Sequence, residues 1–430
     1  DYKIKIASFG HITKNIFLYK KFYIYLRGMK VNSWKIIVML TFLLVTQIAF
    51  STEREVKVPP LSSSAKASLL TVGRADHEIY QNFGHTAIRI KDSILGWDFV
   101  YNYGTFDFGE PNFLYNFIKG KLLYFESIDN YADFEAMYRE ENRWIREQSL
   151  NLTQEQKQLL FERLTINARE ENKYYKYDFL FDNCSTRPRD VLFSLFKKRE
   201  YKPDADDNAT YRQLIDRNVP NEWLDFGMDL LIGLPTDKKA KYGRTFLPDE
   251  LMQLCDSATV DGKPLVNTNY IILEAIPEYQ SPNWITPGLI FWLLFVLIFI
   301  LQIKYAVFSK NKLIPVVYFS ILGLLGWLFL FMWFGTEHLT TKWNLNILWA
   351  MPFNVPLMLF AFKKDTPRWL ISYTKFYRIL LITLLIGWWI NPQTYHAAVI
   401  PLILIGILFT SILLPIPTKN DFKKRWFGAN

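Results

Sequence analysis

Apolar residues are distributed unevenly along the chain, in long blocks through the last third and in short alternating stretches before it. Each long block approaches the ~20 residues that an α-helix needs to cross a bilayer. The pattern predicts membrane-spanning helices at 286–303, 313–334, 345–362, 378–391 and 396–416. Lysines and arginines concentrate after the first, third and fifth blocks, and such residues are retained in the cytoplasm. The C-terminus is therefore predicted to be cytoplasmic, and the preceding polar segment to lie across the membrane from it.

Residues 29–51 give a second indication of export. Lys30 and Lys35 precede an apolar run that ends at Ile48, and the small residues Ala49 and Ser51 follow it. This order predicts a cleaved secretory signal, with an uncleaved anchor as the alternative. We therefore interpret 1–28 as an upstream extension, 52–283 as the exported domain and 284–430 as the transmembrane domain with its tail.

The exported segment mixes the periodicities of strands and helices, which predicts an α+β domain with an antiparallel sheet. Thr153 and Gln156 have the spacing of a capping box, so a helix is expected to begin there. A second helix is expected around Pro188, and residues 197–283 show no strong period. The predicted strands are Ala67–Val72, His85–Ile90, Trp97–Tyr103, Lys121–Ile128 and Arg143–Leu150.

Composition changes the picture mainly by exclusion. The formal net charge of +9 comes from the basic flanks, since the exported segment is acidic. A nucleic-acid footprint needs a basic face on a folded domain, so nucleic-acid binding is disfavoured. The sequence has no HExxH or CxxC pattern for a metal and no GxGxxG or Walker A pattern, and we expect neither a metal nor a cofactor.

Cys184 carries the strongest chemical signal. It follows Asp182 and Asn183, which often start helices, and Pro188 falls in the expected first turn. A thiol near a helix N-terminus is favoured as a thiolate, and Arg187 and Arg189 would add positive charge. The alternative is a small buried hydrophobic residue, which is what most free cysteines are.

His85 is the candidate base for this thiol, because a cysteine nucleophile needs a positioned histidine. If Ile90 faces Trp97 across the hairpin, His85 lies opposite Asn102, whose amide would orient the imidazole. Other candidates for that orienting group are Tyr101, Tyr103 and Asp107. The second histidine of the exported segment, His77, is expected to be an exposed loop residue.

Two other groups of residues bear on this hypothesis. Cys255 is interpreted as packing on an amphipathic helix, and a disulfide between it and Cys184 would exclude the nucleophile. Glu337, His338 and Asn344 lie in an outer loop after the second span. They are expected to contact a lipid headgroup or the docked exported domain, with simple solvation as the alternative.

The chain resembles the Lnb family, the Bacteroides-type lipoprotein N-acyltransferases. The resemblance covers about 65–415 and rests on five segments: Phe83–Arg89, Tyr101–Asp107, Phe117–Tyr124, Asn183–Thr186 and Glu337–His338. It implies a periplasmic domain joined to a five-helix membrane domain in a bacterial inner membrane. The periplasmic part also resembles the permuted papain-like group, with its NlpC-type peptidases and lecithin:retinol acyltransferase, in which the roles of nucleophile and base fall on Cys184 and His85.

The resemblance further implies a reaction. An acyl group would pass from a membrane phospholipid to Cys184 as a thioester, and then to the N-terminal amine of a diacylglyceryl-modified lipoprotein. From the chemistry of the guanidinium group, we expect Arg187 or Arg189 to hold the phosphate, with an exposed salt bridge as the alternative for each. Two other functions stay open: a membrane-tethered cysteine peptidase or amidase acting on cell-wall peptides, and a scaffold with a vestigial site.

Overall fold

The structure is a computed structural model that describes residues 58–202, 205–276, 284–304, 311–355, 360 and 367–413. The predicted upstream extension and signal segment lie outside these residues.

Seven strands form one antiparallel sheet in the order β10-β5-β1-β2-β3-β4-β6. The sequence pattern predicted β1 to β5 with bounds that shift by a few residues, and these strands are confirmed. It missed β6 and β10, and β10 is an edge strand whose residues are mostly exposed, so no alternation marks it. The strands are β1 (Lys66–Val72), β2 (His85–Asp92), β3 (Trp97–Thr105), β4 (Leu123–Asn130), β5 (Ile145–Leu150), β6 (Tyr174–Lys176) and β10 (Val266–Leu273); β7 (Arg199–Glu200), β8 (Thr259–Val260) and β9 (Lys263–Pro264) form a small separate sheet.

Helices pack on both faces of the large sheet, α2 on one face and α3 on the other. The predicted capping box is present where α3 begins. The Thr153 hydroxyl accepts from the Gln156 backbone N–H, and the Gln156 side chain accepts from the Thr153 backbone N–H. The helices are α1 (Phe113–Lys119), α2 (Tyr131–Glu140), α3 (Gln154–Asn167), α4 (Thr186–Phe193), α5 (Tyr211–Asp216), α6 (Glu222–Leu231) and α7 (Pro248–Ser257).

Alternation along β3 separates the two faces of the sheet. Val100 packs with Phe134 and Tyr138 of α2 in a buried cluster. Tyr103, three residues further along the strand, points to the opposite face. There its hydroxyl accepts a hydrogen bond from the Asn167 side chain of α3. The histidine strand β2 and the cysteine-bearing turn before α4 meet at the end of this layered core.

The rest of the described chain is helical and apolar. Helices α8 (Pro287–Lys304), α9 (Leu313–Phe334) and α10 (Arg368–Ile386) are long and apolar enough to cross a membrane, and α11 (Val399–Leu413) is a shorter apolar helix. The prediction that the fourth span begins at 378 was wrong, because the helix already begins at Arg368. The first turns of this helix contain hydroxyl and basic side chains, which lower the local hydropathy, so the apolar pattern did not reveal them. The third predicted span is described only in part, so the number of five remains a prediction.

Candidate active site

Cys184 is held in a turn that Asn183 organises. The Asn183 Oδ1 accepts from the backbone N–H groups of Ser185 and Thr186, both at 2.8 Å. Its Nδ2 donates to the carbonyl oxygens of Phe179 and Phe246. The amide side chain therefore serves the first free N–H groups of α4, as a capping residue does, and presents Cys184 just before the helix begins.

Gly104 forms the floor beneath this cysteine. A Cβ on Gly104 would lie 3.2 Å from the Cys184 Cβ and 3.7 Å from the Tyr177 ring, and φ of this residue is +90°. Both the close approach and the left-handed backbone favour glycine. The backbone N–H groups of Thr86 and of Cys184 itself act on the thiol and lower its pKa. Because Thr86 directly follows His85, the thiol lies beside the strand end that carries the imidazole.

His85 and Asn102 are in contact, but not through the predicted register. The strands pair Ala87 with Asn102 and Asp92 with Trp97, so the prediction that His85 faces Asn102 was wrong by two residues. A shift of two keeps both side chains on one face, where they are diagonal neighbours. The His85 Nε2 lies 3.0 Å from the Asn102 Oδ1.

Asp129 on β4 determines which atom of the Asn102 amide faces His85. The Asn102 Nδ2 donates to the Asp129 Oδ2 at 2.7 Å, which orients the amide with its oxygen toward His85. Since that oxygen can only accept, the proton of the neutral imidazole belongs on Nε2. The lone pair is then on Nδ1, which is the nitrogen available as a base.

Burial makes the resting thiol and imidazole neutral. It raises the pKa of Cys184 to about 11, against the smaller lowering by the two backbone N–H groups and by Arg143. It lowers the pKa of His85 to about 4, with Arg143 acting in the same direction and Asn102 opposing it. The expectation of a resting thiolate was therefore wrong: desolvation outweighs the helix N-terminus.

Arg187 and Arg189 are engaged elsewhere, so they do not charge the thiol as expected. Arg187 forms two hydrogen bonds to Asp182 and lies over the Tyr175 ring. Arg189 pairs with Asp190 and donates to the Thr245 hydroxyl. These contacts correspond to the salt-bridge alternative, and a phosphate-binding role for either arginine stays a prediction.

Arg143 is the cation whose charge lowers the pKa of both Cys184 and His85. It is 3% exposed, and its Nε donates to the Gly73 carbonyl while Nη1 pairs with Glu141. Its guanidinium lies over the Tyr138 ring, and the His85 ring lies 6.3 Å from the same tyrosine ring. Arg143 and Asp129 were missed because they come from distant segments and no local pattern marks them.

The remaining candidates lie away from the thiol. Tyr101 and Tyr103 point to the opposite face of β3, and Asp107 accepts from the Gly109 N–H in a local turn. Cys255 is fully buried on α7, as predicted, and both cysteines are free, so the disulfide alternative is excluded. His77 is exposed. Within the described residues, no cluster of His, Cys, Asp and Glu could hold a metal ion.

Glu337, His338 and Asn344 all contact the extramembrane domain. Glu337 pairs with Lys176 at 2.5 Å, and the His338 Nε2 lies 3.1 Å from the Phe117 carbonyl oxygen. Asn344 is 1% exposed and donates to the Leu230 carbonyl. The loop was expected to contact either a lipid headgroup or the docked exported domain, and these contacts are with the domain. A substrate-binding role for the three residues stays a prediction.

The fold and the site define a membrane-anchored protein in which a partly buried thiol and an oriented imidazole come from neighbouring elements, the turn before α4 and the start of β2. Two family models match the chain: the Lnb N-terminal periplasmic domain over residues 63–217 and the Lnb transmembrane domain over 279–420. The chain belongs to the Lnb family, and it is a membrane-anchored periplasmic enzyme of the lipoprotein-maturation type. No curated protein and no solved structure matches it, so the likeness to the permuted papain-like group stays a prediction.

Proposed function

We propose that this protein is a thiol acyltransferase of the inner membrane, with its C-terminus in the cytoplasm. It moves a fatty acyl group from a membrane phospholipid, through a thioester on Cys184, to the N-terminal amine of a diacylglyceryl-modified lipoprotein. The observation that carries the proposal is the hydrogen-bonded chain His85–Asn102–Asp129, together with the Cys184 thiol that packs on Gly104 in the turn leading to α4, a helix that contacts β2. Family membership supports the substrate class.

In the first half-reaction, the Cys184 sulfur attacks the ester carbonyl of the phospholipid while the His85 Nδ1 accepts the thiol proton. The tetrahedral intermediate carries its negative charge on the former carbonyl oxygen. We assign the backbone N–H groups of Thr86 and Cys184, which lower the pKa of the thiol, as the donors to that oxygen. When the intermediate collapses, the carbon–oxygen bond breaks, and the lysophospholipid leaves with the proton from His85.

In the second half-reaction, the α-amine of the lipoprotein attacks the thioester carbonyl. The His85 Nδ1 accepts a proton from the attacking nitrogen, and the carbon–sulfur bond then breaks. The sulfur recovers a proton from His85, and the products are an N-acylated lipoprotein and the free enzyme. Asn102 keeps the Nε2 proton in place through both halves, so that the same nitrogen of His85 works as base and acid.

The test is to incubate the purified full-length protein in nanodiscs with radiolabelled phosphatidylethanolamine. We expect label on the protein that hydroxylamine removes and that is absent from Cys184→Ala. Cys255→Ala is the matched control, because that thiol is fully buried on α7 and should leave labelling unchanged. Addition of a synthetic diacylglyceryl lipopeptide should then discharge the thioester and yield a lipopeptide that has gained one acyl chain.

The two alternative functions give different results. A peptidase or amidase would cleave muropeptides in a Cys184-dependent manner without forming the labelled thioester. A scaffold would retain full cellular function as Cys184→Ala, which can be read from the mass of lipoprotein N-termini in cells carrying that variant. Either result overturns the acyltransferase proposal.

A further inference from the structure

Helix α1 exposes almost all of its apolar side chains. None of the residues Phe113–Lys119 is buried, and Leu114 is 66% exposed. Tyr115, Phe117 and Ile118 are also exposed, and Phe108 just before the helix is more exposed still. A cluster of large apolar side chains on one short element marks a surface that another apolar body covers.

The position of α1 indicates what that body is. Its last residue, Lys119, accepts from the Glu337 N–H at 2.8 Å and donates through Nζ to the Gly335 carbonyl at 2.5 Å. His338 contacts the carbonyl oxygens of Phe117 and Ile118. Gly335 directly follows α9, which ends at the exposed Phe334, so α1 is tied to the end of a helix long and apolar enough to span the membrane. It therefore lies where that helix leaves the bilayer.

A row of aromatic rings leads from α1 to the thiol. Phe117 stacks on Phe113 with ring centroids 6.3 Å apart, and Phe113 lies 6.0 Å from Phe106. Phe106 is 5.4 Å from Tyr124, which stacks on Tyr177 at 4.4 Å. The ring of Tyr177 and the side chain of Cys184 flank the same glycine, Gly104. None of the five rings is fully buried, so the row is open along part of its length.

We propose that α1 inserts into the outer-facing leaflet of the membrane and that the aromatic row guides a phospholipid acyl chain from this leaflet to Cys184. Lipid is therefore the proposed occupant of the α1 surface, because α1 is joined to the end of α9 that leaves the bilayer. The flat faces of Phe and Tyr rings give a hydrocarbon chain apolar contact. Amphipathic segments with Phe and Leu next to Lys are typical of membrane interfaces. The guiding role rests on the proposed function, whereas insertion of α1 does not.

Insertion is tested by the environment of a fluorophore on α1. Leu114→Cys is labelled with an NBD probe in a Cys184→Ser background, where the remaining native thiol, Cys255, is fully buried. The full chain is placed in nanodiscs of phosphatidylethanolamine and phosphatidylglycerol with or without doxyl-labelled lipid. Ile94→Cys is the matched control, since Ile94 is equally exposed at 69% but lies in the β2–β3 turn at the far end of β2 from His85.

We expect the probe at Leu114 to emit at shorter wavelength and to be quenched by the doxyl lipid, and the probe at Ile94 to show neither effect. Equal emission and quenching at the two positions would overturn the proposal. A blue shift at Leu114 without quenching by doxyl lipid would also overturn it, because protein rather than lipid would then cover α1. Neither result depends on whether Cys184 forms a thioester.

The guiding role is tested by comparing two acyl donors. Phe106→Ala and Phe117→Asp should lower the ratio of thioester formed from long-chain vesicle phospholipid to that formed from 4-nitrophenyl butyrate by about tenfold or more. Ile94→Asp should leave this ratio unchanged. An equal loss with both donors would overturn the guiding role while leaving the acyltransferase proposal in place. If the wild type forms no thioester with either donor, the proposed function fails while the fluorescence result stands.

Discussion

Replacing Asn102 with alanine tests the orientation of the imidazole most directly. Asn102 is 6% exposed and joins His85 to Asp129 through hydrogen bonds of 3.0 and 2.7 Å. The alanine removes both bonds and leaves the Nε2 proton of His85 without its acceptor. The imidazole can then turn, or move its proton to Nδ1, and in either state Nδ1 is no longer held as the base that the proposed mechanism requires.

The size of the effect follows from that lost acceptor. A buried N–H left without a partner costs about 1–3 kcal/mol, which corresponds to about 5- to 150-fold less of the competent tautomer and orientation. We therefore expect thioester formation on Cys184 to slow by one to two orders of magnitude in Asn102→Ala. Asp129→Ala should cost less, about threefold to tenfold, because Asp129 is exposed and water can take its place beside the amide.

The assay is the single-turnover rate of thioester formation from labelled phospholipid, with the melting temperature of each variant as a check on folding. An exchange of groups supplies the matched control. Asn102→Asp combined with Asp129→Asn keeps an accepting oxygen for His85 and a donating amide behind it, so the pair should recover most of the rate that Asn102→Ala loses. An Asn102→Ala enzyme with the full rate would refute this account, as would an exchanged pair no faster than the alanine variant.

Three further predictions concern charge, backbone and burial. At pH 7 a thiol of pKa about 11 is ionised in about one molecule in 10⁴, so the rate of Cys184 alkylation by iodoacetamide should rise steadily from pH 6 to 9; a plateau there would indicate a thiolate–imidazolium pair instead. Gly104→Ala should slow thioester formation at least about tenfold by displacing the thiol, whereas Gly96→Ala, which shares a positive φ but has no neighbour within 4 Å, should only lower the melting temperature. Burial raises the pKa of Glu126 from 4.5 to about 8, so the stability of the wild type is predicted to fall from pH 5 to 8 as the unfolded carboxyl ionises first; Glu126→Gln should melt several degrees higher than the wild type at pH 8 and about equally at pH 5, unlike the exposed control Glu140→Gln.

The sequence supplied the parts of the site that local pattern encodes. The alternation from His85 to Ile90 located β2, and Asn183 with Pro188 located the turn and helix that hold Cys184. The pairing of β2 with β3 was displaced because nothing in the sequence sets the length of the connecting turn. The contact between His85 and Asn102 survived this error, since a shift of two residues preserves the face of the sheet.

What the sequence did not supply depends on tertiary structure. Asp129 lies on a neighbouring strand, and Arg143 lies in the connection between α2 and β5, so neither shares a local motif with the thiol. The prediction of an ionised Cys184 thiol was wrong for a related reason. A helix N-terminus and nearby arginines are visible in the sequence, but the desolvation that opposes them is a property of the packed core. Arg187 further shows that a basic residue three positions from Cys184 can be neutralised by a partner five positions away, Asp182.

The neutral pair and the surface that leads to it fit one physical requirement of acyl transfer. A thioester enzyme that must wait for an amine has to protect its intermediate from water. The burial that raises the pKa of Cys184 and lowers that of His85 also limits the water next to the sulfur. Ionisation of the thiol is then needed only during attack, when the carbonyl carbon accepts the sulfur and the His85 Nδ1 accepts the proton. On the proposed route, the aromatic rings supply the donor from the membrane side, so the site need not open to solvent to be loaded. On this account slow hydrolysis and rapid aminolysis of the acyl-enzyme are consequences of the same packing. An acyl-Cys184 that water discharged as fast as a lipopeptide amine would contradict it.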